Sequence, residues 1–107
     1  MIHNKSELTV SEFVSQLEDN YVSVVKYYAD WCNACVEVDS TLSEFSSSNT
    51  SVPVYEVNID NAPELKSWAR VKAVPMTIFY RQGRMKEFIF GAQPIEKFNQ
   101  KLRMVML

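Results

Sequence analysis

The sequence predicts an α/β fold, with parallel strands joined by helices and one antiparallel hairpin near the end. Three observations carry this. Apolar residues alternate along the chain between helical spacing and short β-branched or aromatic runs. The polar punctuation at Asp19-Asn20, Ser46 to Ser51 and Asp60-Asn61 leaves each piece about the length of one element. Gln82-Gly83 between two strand-like runs is a hairpin signal, and hairpins join antiparallel neighbours.

The elements follow in order. His3 to Leu8 reads as a polar edge strand. Thr9 followed by Glu12 is a capping box, and Phe13, Val14 and Leu17 form the apolar stripe of the helix it opens. Tyr21 to Tyr28 is β-branched and aromatic, a buried strand by composition apart from Lys26. From Cys32 to about Ser47 the apolar positions Val38, Leu42 and Phe45 fall at helical spacing, before a loop over Ser46 to Ser51. Val52 to Ile59 is the next strand, and Pro63 suits the first turn of a short helix, Ala62 to Arg70, with Leu65 and Trp68 inward. Met76 to Tyr80 and Met85 to Phe90 are the hairpin strands. After Gly91, Pro94 opens a last helix with Ile95, Phe98, Leu102 and Val105 on one face.

Composition narrows the function classes. With 107 residues and no linker, repeat or composition shift, residues 1–107 read as a single domain. Two cysteines cannot staple a fold of this size. Cys32, Cys35 and His3 are the only soft ligands, too few for a structural zinc, and no metal is expected. Eleven basic residues against thirteen acidic ones, with no basic run, argue against nucleic acid as a partner. No apolar run approaches the ~18 residues of a membrane span, and the start lacks the apolar stretch of a signal peptide. A cytoplasmic location is therefore expected, where thiols are kept reduced.

The chemistry is carried by Ala29-Asp30-Trp31-Cys32-Asn33-Ala34-Cys35, placed between a buried strand and a helix. A helix N-terminus offers unpaired N–H groups and a partial positive charge, which stabilise a thiolate at Cys32. Cys35 lies one turn further on the same face and can attack a mixed disulfide formed at Cys32. Alone, a Cys-x-x-Cys could equally be half of a metal site or two buried cysteines. The strand before it and the helix after it favour redox exchange. Asp30 and Asp60 read as solvated loop carboxylates, Trp68 as core, and Trp31 as a substrate contact beside the nucleophile.

Trp31-Cys32-Asn33-Ala34-Cys35, together with Val74-Pro75-Met76-Thr77, Asn58-Ile59-Asp60 with Pro63, the Gly83 hairpin and Gly91-Ala92, resembles the thioredoxin family over nearly the whole chain. The resemblance implies a central mixed sheet of four or five strands with helices on both faces. It implies a cis peptide at Pro75, facing the cysteines, and a substrate groove bordered by Trp31, Asn33, Ala34, Val74, Pro75, Gly91 and Ala92. It further implies disulfide-containing protein substrates, a thioredoxin reductase as the recharging partner, a monomer, and no bound cofactor, since the dithiol is the redox centre.

The chain also departs from that pattern. Asn33-Ala34 stands where thioredoxins usually carry Gly-Pro and isomerase domains Gly-His, although Tyr28-Ala29-Asp30 partly echoes the isomerases' Tyr-Ala-Pro. Neither Asn33 nor Ala34 brings a positive charge, which predicts a reducing protein. Ser40 replaces a usual helix proline, so a straighter helix is expected. Lys26 stands where the family usually places a buried carboxylate that helps deprotonate the second cysteine, and Glu56 where it usually places a lysine. Lys26 and Glu56 thus read as a charge-reversed pair that relays a proton to Cys35 or stabilises its thiolate. The plainer possibility is mutual neutralisation, with Lys26 reaching out to solvent. A disulfide-forming or isomerising domain, and a thioredoxin-like binding subunit without turnover, are the rival functions.

Overall fold

The structure, a computed structural model, describes residues 2–107. Among the described residues nine elements follow one another: β1 (Ile2–Asn4), α1 (Val10–Glu18), β2 (Val22–Tyr28), α2 (Asn33–Ser48), β3 (Val54–Asn58), α3 (Pro63–Ala69), β4 (Met76–Arg81), β5 (Arg84–Phe90) and α4 (Ile95–Met106). The sheet runs β1-β3-β2-β4-β5, with β1, β3 and β2 parallel and the last two pairings antiparallel. This is the expected mixed sheet, with five strands.

β2 is the central strand and is buried from Val22 to Tyr27. Its side chains therefore feed two cores. Val25 and Tyr27 pack with Phe13 and Leu17 of α1 and Leu65 of α3. Val22 and Val24 pack on the opposite face with Val38, Leu42 and Phe45 of α2 and Phe98, Leu102 and Val105 of α4. A strand covered on both faces needs an almost unbroken apolar run, which is how Tyr21 to Tyr28 reads. Ser23 and Lys26 are the polar exceptions within it.

Local rules account for the joints. Thr9 caps α1 reciprocally with Glu12, and the bond from the Thr9 N–H to Glu12 Oε1 leads in holding that carboxyl below the usual range. Two expectations fail. The edge strand is Ile2–Asn4 rather than His3 to Leu8, because Ser6 turns back with its N–H on Asn4 Oδ1 at 2.9 Å. The chain from Ser46 to Ser48 is helix rather than loop, and Asn49 ends it by donating its side-chain amide to Phe45 O at 2.9 Å. Ser46 is buried against the core, so packing overrides the weak helix propensity of three serines.

Candidate active site

The site forms where β2 ends. Ala29 stays buried, Asp30 and Trp31 turn the chain, and Cys32 becomes the N-cap of α2. A helix start leaves N–H groups unpaired, and here the Cys35 N–H donates to Cys32 Sγ at 3.2 Å. Cys32 and Cys35 are joined as a disulfide, with Cα atoms 5.3 Å apart. Both are buried in the core shared with α1 and α3. Cys32 is 6% exposed against 2% for Cys35, so Cys32 is the more exposed residue of the pair.

Ala34 and Val74 pack against the cluster that contains both cysteines. The Val74–Pro75 peptide is cis, and the Gly91 N–H donates to Pro75 O at 2.9 Å, joining that segment to the end of β5. Gly91 has φ +72, a conformation that glycine adopts freely, and an added Cβ there would meet open space. Asn33 and Ala92 are exposed. Trp31 is 69% exposed yet anchored, since its indole N–H donates to Asp60 Oδ2 at 2.9 Å. Asp60 is therefore more than a solvated loop carboxylate: it holds the tryptophan beside the redox pair.

Lys26 is only 3% exposed, so its head does not reach solvent. Lys26 and Glu56 are direct neighbours across the β2–β3 pairing, with Nζ 3.8 Å from Glu56 Oε2. The ammonium also hydrogen-bonds to Asp39 Oδ1, donates to Cys35 O at 3.4 Å, and lies 4.8 Å from the centre of the Tyr28 ring. Sequence reasoning missed Asp39. Its spacing from Cys35, four residues or about one helical turn, was readable, but nothing local tied it to Lys26. These groups line a cleft of about 260 Å³ that Cys35 shares with Asp30 and Val36. Burial pushes the Tyr28 phenol up, and the Glu56 carboxylate adds to the effect.

Two cysteines closed across the first turn of a helix, at the end of a central strand, make a dithiol–disulfide exchange centre. The family model described as Thioredoxin matches residues 4–104. Thioredoxin-1 of Schizosaccharomyces pombe is 31% identical over 84 residues, covering 78% of this chain and 82% of that one. The chloroplastic M-type thioredoxin of Spinacia oleracea is 28% identical over 94 residues, which is 87% of this chain but about half (51%) of the spinach protein. The crystal structure of thioredoxin from Trypanosoma brucei brucei superposes with a TM-score of 0.87 at 24% identity, covering 99% of this chain and 91% of that one, a likeness of fold. The chain belongs to the thioredoxin family. It is a thioredoxin-type thiol–disulfide oxidoreductase, of a family whose members act on disulfide substrates and are recycled by reductases. Among the described residues no helix is long and apolar enough to cross a membrane.

Proposed function

We propose that this chain reduces protein disulfides, with Cys32 as the attacking thiol and Cys35 as the resolving one. The observation that carries the assignment is the position of Cys32: it is the N-cap of α2, takes the Cys35 N–H on its sulfur, and is the more exposed of the pair. The Cys32 thiolate attacks one sulfur of the substrate disulfide and the other leaves as a thiolate. Cys35, having lost its proton, then attacks Cys32 Sγ. The Cys32–substrate bond breaks, its electrons leave with the second substrate sulfur, and the Cys32–Cys35 disulfide forms. Two electrons have passed to the substrate, and a thioredoxin reductase returns two electrons with two protons.

Substrate contact falls to Trp31, Asn33, Ala34, Val74, Pro75, Gly91 and Ala92. The exposed, tethered indole of Trp31 and the packing of Ala34 and Val74 beside the pair support this reading. Lys26, with Glu56 as its partner, acts on Cys35 as a buried cation, which its 3.4 Å contact with Cys35 O supports. The carrier is proposed to be a single-domain monomer of the cytoplasm. Both cysteines sit in the working pair and none is left for a structural bridge, as suits a reducing compartment.

Trapping tests the roles. Mixed with a disulfide-containing protein, the Cys35→Ser variant accumulates a covalent complex through Cys32 that dithiothreitol releases, and the Cys32→Ser variant does not. Trapping by Cys32→Ser alone reverses the roles, and trapping by neither overturns them.

A further inference from the structure

We infer that Asp39 governs how readily Cys35 ionises, by cancelling part of the charge of the buried Lys26 ammonium beside it. The inference rests on the reading of Cys35 as the resolving thiol and adds a positioning residue to it. Asp39 does not touch the reacting sulfurs; it acts through Lys26.

The geometry sets the sign. The Lys26 ammonium lies between two carboxylates, bonded to Asp39 and 3.8 Å from Glu56, while it also holds Cys35 O at 3.4 Å. One cation against two anions leaves the cluster with surplus negative charge next to Cys35, where a thiolate must develop for the resolving attack. Lys26 is 3% exposed, so its interactions are weakly screened. Asp39 is 56% exposed and belongs to α2, whereas Glu56 belongs to β3 and is 28% exposed. Neutralising Asp39 leaves Lys26 paired with Glu56 alone and still held by Cys35 O. The surroundings of Cys35 then carry one negative charge fewer, and the Cys35 thiolate is favoured. Removing Lys26 does the reverse.

The other titratable groups facing this cleft are Tyr28 at the end of β2 and Asp30 in the turn after it. The β4 neighbour of Lys26 is Thr77, which carries no charge. The step affected is the second one: Cys35 releases its proton to solvent base, and its sulfur displaces the substrate thiolate from Cys32.

The experiment follows Cys35 ionisation in a Cys32→Ser background by thiolate ultraviolet absorbance as pH is raised. The Cys32→Ser, Cys35→Ser protein is subtracted to remove the tyrosines. Asp39→Asn should move the titration to lower pH and raise the thiolate fraction below the midpoint about threefold. Asp39→Glu should restore the parent curve. Lys26→Met should move it to higher pH. In the otherwise native chain, Asp39→Asn should speed release of the second substrate thiol by a similar factor at neutral pH, and leave it unchanged well above the midpoint. Asp39 is exposed, so its Asn variant tests the inference even where Lys26→Met fails to fold. A folded Asp39→Asn protein whose Cys35 titration is unmoved, or moved to higher pH, overturns it. Absence of trapping by Cys35→Ser would instead overturn the resolving role, and the titration would still read the effect of Asp39 separately.

Discussion

The hydroxyls of Tyr27 and Tyr80 lie 2.8 Å apart inside the core on the α1 and α3 side, and Trp68 stacks on the Tyr80 ring at 5.8 Å. Burial pushes both phenols far above the ordinary tyrosine range, Tyr27 further because the neighbouring Tyr80 adds to it. A group whose folded pKa is raised stabilises the fold fully below its unfolded value, and that contribution fades as pH rises past it. The unfolded value for tyrosine is about 10, so stability should decline above that pH. In an alkaline absorbance titration, Tyr27 and Tyr80 should ionise only together with loss of the far-ultraviolet helix signal. Smooth ionisation of all five tyrosines near pH 10 with the fold intact would contradict this. The charged cluster shows how far single residues were legible. A lysine in an apolar strand was visible from composition, and Glu56 was matched to it only through the family resemblance. Asp39 could not be paired with it in the same way, because what brings α2 over β2 is packing of Val38, Leu42 and Phe45, which sets no partner for a polar neighbour in advance.

Turns and caps were the most legible elements because each has a local cause. Gln82 and Gly83 both have positive φ, 51 and 85, and form the two-residue link between β4 and β5, the geometry that suits the twist of a hairpin. Glycine is needed here for a second reason: a Cβ on Gly83 would lie 2.7 Å from Glu18 Cγ at the end of α1. Gly83→Ala should therefore destabilise the protein by about 1 kcal/mol or more in urea unfolding. A variant as stable as the parent would show that the turn relaxes freely. Boundaries were less legible where tertiary contacts decide them. Ser46 continues α2 because its side is buried, and β1 ends after Asn4 because, beyond the Lys5 N–H that still bonds Glu56 O, Asn4 Oδ1 captures the N–H of Ser6.

At the scale of the molecule, the alternation of strands and helices pointed to an α/β layer structure, but the strand order came only with the family resemblance. Nothing local to His3 or Tyr55 states that β1 lies beside β3 and leaves β2 in the centre. That order matters for function, since it pairs β2 on both edges and sets its end, with Cys32 and Cys35, in the core on the α1 and α3 side. The Cys32–Cys35 pair was legible because its spacing and its place at a strand-to-helix junction have a local chemical meaning. What remains to be measured is the direction in which this pair moves electrons. Equilibration of the Cys32–Cys35 pair against a thiol redox buffer gives its reduction potential directly. A disulfide-reducing carrier requires a value close to the reference for thioredoxin itself, about −270 mV, whereas a value at or above that of protein disulfide isomerase, about −180 mV, would contradict it and mark the chain as a disulfide-forming or isomerising protein.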